Sequence, residues 1–154
     1  ETTEYFDDAA TKQDIIDRTN ALRRENGVSV LTVNGELMQA AQVRADEMAA
    51  SGVYSHTRPD GRKYTTVTDC KYIGENIHLI GEWQIRDSSL PSFAVEAWKN
   101  SAAHLKNMLN TRYHAIGVGV SQGTVMGEPY WYCVQLFLLD GYNVTWVDAP
   151  AAKG

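Results

Sequence analysis

Apolar residues recur with the period of an α-helix in the first third of the chain. This pattern predicts one helix over residues 11–26, with Gly27 as its stop. A second helix is predicted after Asn34, a favourable N-cap residue, and before Gly52. The apolar stripe of the second helix is narrow and rich in small residues, which indicates close packing. The positions that define the two periods are Ile15, Ile16, Thr19 and Leu22, then Leu37, Ala40, Ala41 and Met48.

The helical period is lost between Gly52 and Leu90, where glycine, proline, aspartate and threonine mark turns. One extended piece is predicted there, over residues 72–80. A third helix is predicted to open at Pro91, and Ser101 is predicted to cap a short fourth helix, AAHLKNMLN. This places His104 in the first turn of that helix.

Two β-prone segments close the pattern, HAIGVGVSQ and YWYCVQLFLL, joined by a turn around GTVMGEP. The second segment is apolar at almost every position, so we expect both faces of its sheet to be covered. Helices followed by strands predict an α+β protein in which helices cover an antiparallel sheet. We expect an N-terminal arm over residues 1–10, one domain over 11–140 and a C-terminal tail over 141–154.

Composition narrows the function classes. The 154 residues are 44% hydrophobic with a net charge of −5, which suits a single globular domain. The basic residues are scattered, which argues against a nucleic-acid partner. No apolar run approaches the roughly 20 residues needed to cross a bilayer. Because the chain begins at Glu1 rather than at methionine, we expect a processed protein from an oxidising, extracellular setting.

The chain has two cysteines, Cys70 and Cys133, and neither lies in a CxxC pair. We expect one disulfide between them, with two unrelated buried thiols as the alternative. In the chain-entropy account, a bridge closing a loop of this length stabilises by about 4 kcal/mol.

Candidate chemistry rests on histidines and one glutamate, since signatures such as HExxH, GxSxG and a phosphate loop are missing. His56 in SHTRPDG and His104 in SAAHLKN are the candidates for a zinc or similar divalent site, with water completing the shell. Glu75 either orients these groups, acts as a base on that water, or is structural together with Asn76. His78 and His114 are interpreted as surface or internally satisfied side chains.

Seven motifs occur in a characteristic order: NALRRENG, L..AAQVRADEMA, SH, GEN, AVEAW, S..H..NML and IGVGV. In this respect the chain resembles the bacterial, SCP-like branch of the CAP superfamily, named for cysteine-rich secretory proteins, antigen five and pathogenesis-related proteins. The resemblance covers roughly residues 15–137. It implies a three-layer α-β-α sandwich with a large central cleft that carries His56, Glu75 and His104, and a divalent metal held by the two histidines in many relatives. The Gly-x-Gly expected thirteen residues after the second histidine falls on Gly117 and Gly119.

The chain departs from the family at its second acidic position, which falls on Ser101. Glu96, two residues before Trp98, is a nearby carboxylate, so the acidic and histidine set is altered. The cleft-lining candidates are Ser55, Asn76, Glu96 and Ser101.

Three functions remain open. The first is a secreted binding module whose cleft takes a lipid, a peptide or a wall-derived ligand, with a divalent metal at the histidines and no organic cofactor. The second is a metal-assisted extracellular hydrolase with Glu75 as base and Ser101 or Ser55 assisting. The third is a structural or adhesive surface domain with a vestigial cleft.

Overall fold

The computed structural model describes residues 8–147. Within that range the chain forms four helices, four strands and two short 3-10 turns. The helices are α1 (Asp8–Glu25), α2 (Gly35–Ser51), α3 (Leu90–Lys99) and α4 (Ala102–Met108). The strands are β1 (Thr32–Val33), β2 (Ile73–Gly81), β3 (Tyr113–Val125) and β4 (Glu128–Leu139). The 3-10 turns are Tyr64–Val67 and Glu82–Ile85. No helix in the described part of the chain is both long and apolar enough to cross a membrane.

The predicted helix boundaries are largely confirmed because local capping fixes them. The Asn34 side chain accepts the N–H of Leu37 at 2.9 Å, and Gly52 ends α2 with a φ of 75°, a conformation that favours glycine. The third helix begins one residue before Pro91, with Ser89 as its N-cap. The first helix begins three residues before the predicted start, at Asp8.

The sheet has the order β1-β3-β4-β2 and is mixed rather than wholly antiparallel. β3 pairs antiparallel with β4, and β4 with β2, as the sequence predicts. The expectation of an all-antiparallel sheet is wrong at one edge, where β1 pairs parallel with Ala115 and Ile116. A two-residue strand is too short to produce a periodic signal, which explains the error.

Both faces of the sheet are covered, which confirms the three-layer α-β-α arrangement. Along β4, Tyr132, Val134 and Leu136 join the core beneath α2. Cys133 and Phe137 point to the other face and join the core beneath α1, α3 and α4. This alternation follows from the two-residue period of a strand.

Two glycines of β3 let α2 approach the sheet closely. A Cβ atom at Gly117 would collide with the backbone of Leu37, and one at Gly119 would collide with the backbone of Ala41. Small residues in the facing stripe of α2, including Ala41 itself, complete this contact. The close approach fixes the position of α2, whose next turns carry charged residues of the candidate site.

The two thiols contradict the predicted disulfide. Cys70 and Cys133 are both free and buried. The physical reason is their placement: Cys70 belongs to the core beneath α2, whereas Cys133 points into the core on the opposite face of the sheet. Burial raises the pKa of the Cys133 thiol to about 12, so this thiol is chemically quiet.

The ends of the chain fall partly outside the described residues. Residues 1–7 of the expected arm and residues 148–154 of the expected tail lie there. Residues 8–10 form the first turn of α1. In the segment 141–147, Val144 is buried and Trp146 forms a bridge to Thr68, so this part of the expected tail packs on the domain.

Candidate functional site

The site lies along the free edge of β2, where side chains satisfy outward-facing backbone carbonyls. The phenol of Tyr64 donates to the carbonyl of Ile73 at 2.9 Å. Two donors, the Trp98 indole at 3.1 Å and the Tyr54 phenol at 3.3 Å, reach the carbonyl of Ile77. An exposed edge strand normally invites pairing with another chain, and these contacts block it. The edge is thereby covered by side chains and is not open to another strand.

A buried ion pair anchors Glu75 at this edge. The guanidinium of Arg44 on α2 binds both carboxylate oxygens, with Nε to Oε2 at 2.7 Å and Nη2 to Oε1 at 3.1 Å. Its third nitrogen, Nη1, lies 3.0 Å from Oε2 of Glu47. Burial lowers the pKa of Arg44, but the hydrogen bonds and charges of Glu75 and Glu47 outweigh it and raise that pKa overall. All three side chains are fully buried.

The same network holds the loop that carries His56. Arg58 lies in this loop and binds both oxygens of Glu47, with Nε–Oε2 and Nη2–Oε1 distances of 3.0 Å. Arg44 Nη2 also donates to the backbone carbonyl of Ser55 at 2.6 Å. Two arginines and two glutamates therefore cancel in charge and tie the loop to α2 and β2 at once. Such a network persists because breaking it would leave a buried charge without a partner.

His56 stands at the solvent end of this network. Its Nδ1 lies 2.7 Å from Oε1 of Glu75, while its side chain is 55% exposed. A carboxylate paired with Arg44 can only accept at that contact, so Nδ1 carries the hydrogen. In the neutral ring this leaves a lone pair on Nε2. Carboxylate-oriented histidines of this kind are typical of metal and proton-transfer sites.

His104 approaches the edge from the opposite side, in the first turn of α4. Its Nδ1 lies 2.8 Å from the hydroxyl of Ser101, which makes no capping hydrogen bond of its own. The Asn76 amide donates to the His104 carbonyl at 3.1 Å and fixes the helix against β2. Burial first, and the positive charge of His56 second, lower the pKa of His104 below its ordinary value. Both effects favour the uncharged ring.

A chain of polar side chains supports Asn76 inside the molecule. Its Nδ2 also donates to Oε1 of Gln135 at 3.0 Å, and Gln135 donates onward to the hydroxyl of Thr19 at 2.8 Å. Asn107 of α4 donates to Oδ1 of Asn76 at 2.9 Å. These bonds join α1, β4, β2 and α4, so Asn76 acts as a structural tie between them.

The remaining candidates divide between the His56 loop and other places. Ser55 belongs to the His56 loop, where its hydroxyl accepts the N–H of Thr57 at 3.0 Å. Glu96 is exposed and lines a groove against α1 with Arg18 and Lys99. It faces away from the other candidates, so it does not replace the missing family carboxylate.

The donor set does not fit a catalytic metal. Within residues 8–147, no three His, Cys, Asp or Glu side chains are arranged to hold an ion. Glu75 is committed to Arg44 and His56, which leaves the two imidazole Nε2 atoms as donors. Catalytic zinc usually has three protein ligands.

Sequence reasoning missed Arg44, Glu47 and Arg58, although the first two carry a signal. Arg44 and Glu47 continue the buried stripe of α2 at the same helical spacing as Leu37 and Ala41. A charge of each sign on an apolar face indicates a buried pair. Nothing in the local pattern pointed to Arg58.

Comparisons with known proteins agree with the fold. The profile of the cysteine-rich secretory protein family, CAP, matches residues 16–137. The uncharacterised protein YkwD of Bacillus subtilis is 28% identical over 124 residues, which cover 79% of this chain and 47% of YkwD.

Solved structures give the same result. An extracellular protein containing an SCP domain from Bacillus anthracis superposes with a TM-score of 0.67 at 22% identity, covering 90% of this chain and 45% of that one. The crystal structure of NaASP2 with Zn2+ superposes with a TM-score of 0.56 at 16% identity, covering 80% and 77%. This chain thus spans about half the length of YkwD and of the Bacillus anthracis protein. Since the family profile matches most of the chain, the protein belongs to the cysteine-rich secretory protein, or CAP, family.

Proposed function

We propose that this chain is an extracellular binding module whose cleft takes a ligand between His56 and His104. The observation that carries this proposal is the matched anchoring of the two imidazoles. Each is held at Nδ1, by Glu75 at 2.7 Å and by Ser101 at 2.8 Å. This arrangement leaves the Nε2 atom of each ring for a ligand, and the pKa of His104 is lowered, which favours an uncharged ring.

The charge balance favours a ligand with one polar group and an apolar body. The buried arginines and glutamates cancel, so the cleft carries no strong net charge at neutral pH. Tyr64, whose ring centroid lies 6.0 Å from that of His56, adds apolar contact area beside the imidazoles. Burial and the charge of Glu75 raise the pKa of Tyr64 to about 12, so its phenol stays neutral. A lipid meets this description directly, and a peptide or a wall-derived fragment meets it through its apolar portion.

A hydrolase receives less support from the same contacts. A general base needs a free lone pair aimed at water, whereas Glu75 already accepts from Arg44 and His56. We therefore assign Glu75 the role of orienting His56. Two imidazole donors are fewer than the three protein ligands that catalytic zinc usually has. Zinc, present in the NaASP2 crystal structure, is a probe for the paired imidazoles in this chain and would bind weakly there.

Histidine NMR tests the proposal with defined probes. Myristate, trialanine and muramyl dipeptide represent the lipid, peptide and wall-derived classes, and each is titrated into protein with labelled histidine rings. We expect at least one probe to move the ring signals of both His56 and His104 while His114 stays unchanged, and the response to be lost in His104→Ala. If no probe moves either ring, the binding proposal fails and a structural or adhesive surface domain becomes the better account.

A further inference from the structure

A groove of about 1280 Å³ lies away from the histidines, at the other end of β2. Its floor is formed by β3 and β4 near the turn that joins them, and its walls are the first turn of α1, the 3-10 turn Glu82–Ile85 and the start of α3. Glu75 lies near the start of β2, and Glu82 follows directly after its end. The two residues are seven positions apart, which corresponds to roughly 23 Å at the usual rise of an extended strand. The groove is therefore independent of the cleft.

A fixed aromatic platform forms one wall. Trp83 is 59% exposed, which is unusual for so large an apolar side chain. Its indole nevertheless packs closely on Gly81. A Cβ atom at that position would lie 2.5 to 3.1 Å from three atoms of the ring. The indole thus rests on the bare backbone of Gly81. A rigid aromatic plate with a solvent-facing side is ready to stack against a flat ligand.

The floor combines a second aromatic side chain with polar groups. Trp131 is half-buried and lines the groove beside Pro129. The Gln122 amide donates to Oε1 of Glu82 at 2.9 Å and joins the floor to the wall that carries Trp83. This hydrogen bond holds a carboxylate and an amide next to the aromatic plate.

The charged side chains that line the groove disfavour the binding of anionic ligands. Three carboxylates, of Asp8, Glu82 and Glu128, line the groove together with one cation, Arg86, and Lys12 pairs with Asp8 at 2.8 Å, so one net negative charge remains. A phosphate- or carboxylate-bearing ligand would be repelled by this excess. Ligand hydroxyl groups, in contrast, can donate to the carboxylates without burying a charge.

We propose that this groove binds a neutral glycan, with one sugar ring stacked on Trp83 and its hydroxyls donating to Glu82 and neighbouring acceptors. A sugar ring offers an apolar C–H face to the indole and a rim of hydroxyls to the polar floor. An open groove with an aromatic plate and acidic acceptors meets both requirements. This inference does not depend on the function proposed for the histidine cleft.

Tryptophan fluorescence with triacetylchitotriose and cellotriose, both uncharged, tests the proposal. We expect a saturable change for at least one sugar in the wild type, at least tenfold weaker binding for Trp83→Ala, and partial rescue by Trp83→Phe. Gly81→Ala, checked for folding by circular dichroism, should weaken binding similarly because it displaces the indole. Tyr142→Ala removes an exposed aromatic outside the groove, and this variant should bind like the wild type.

A histidine variant distinguishes sugar binding in the groove from ligand binding at the histidines. His104→Ala should leave sugar binding unchanged even if it abolishes ligand binding in the cleft. No binding of either sugar, or equal binding by Trp83→Ala, would overturn the proposal. Binding of a basic peptide such as trilysine at Trp83, with no binding of either sugar, would also overturn it and assign the groove to cationic partners.

Discussion

Arg44 and Glu75 form a two-point ion pair that is completely buried, with N–O distances of 2.7 and 3.1 Å. The pair links α2 to β2 and leaves Glu75 one further task, the orientation of His56. Glu75, a candidate base in the sequence, is therefore the buried residue that holds His56 in place. This relationship explains why we assign ligand binding to the imidazoles and not to the carboxylate.

Removal of Arg44 should be costly. Arg44→Met leaves Glu75 as a buried charge without its main partner, so we expect the free energy of unfolding to fall by about 3 to 5 kcal/mol. Urea denaturation measures this change. Arg18→Met is the matched control, because Arg18 pairs with Asp14 at the surface and should change stability by less than about 1 kcal/mol. Equal losses in the free energy of unfolding would show that the buried ion pair stabilises the fold no more than the surface pair does.

The ring of His104 should titrate below the ordinary histidine value of 6.5. Because burial is the first cause and the charge of His56 the second, His56→Gln should raise the pKa of His104 only part of the way back. As pH falls below 6.5, the unfolded chain takes up the proton before the folded protein does. The stability contributed by His104 is therefore present above that pH and lost as pH falls through the lower, folded pKa.

Nuclear magnetic resonance of the imidazole signals measures this titration in the wild type and in both His56→Gln and the control His114→Gln. A His104 pKa at or above 6.5 in the wild type would contradict the placement of the ring.

Gly119 should not tolerate a methyl group. Gly119→Ala drives a Cβ into the backbone of Ala41 and forces α2 away from β3, so we expect a loss of roughly 1 to 3 kcal/mol or more. Gly35→Ala is the control, because a Cβ there meets nothing within 4 Å at the start of α2. That substitution should be neutral or stabilising by up to about 1 kcal/mol. Thermal melts of both variants decide the matter, and similar losses in the two would refute the close contact.

The thiols should both be detectable as free. After denaturation without reductant, an alkylating reagent should add to Cys70 and to Cys133, as read by mass spectrometry. A reducing agent should leave the melting temperature unchanged. A mass two units lower with no alkylation would mean that a bridge forms across the sheet and that the assignment of the two faces is wrong.

The sequence predicted most of the fold because caps and periodicity act locally. Asn34 and Gly52 mark the two ends of α2 through contacts within a few residues. The parallel strand Thr32–Val33 and the separation of Cys70 from Cys133 depend on which face each segment meets, and local patterns do not encode this.

The candidate site shows the same division. His56, Glu75 and His104 followed from motifs and a family resemblance. The Arg58–Glu47 pair joins a loop to a helix eleven residues away in sequence, and only tertiary packing reveals it.

The most direct test of the central claim is a thermal melt of metal-stripped protein with added zinc. Two imidazole donors predict weak but specific binding, and zinc at ten times its dissociation constant should raise the melting temperature by roughly 3 to 6 °C. The rise should disappear in His56→Ala and in His104→Ala and persist in His114→Ala. No rise at millimolar zinc, or a rise that survives loss of either histidine, would contradict the claim that the Nε2 atoms of His56 and His104 face a common ligand.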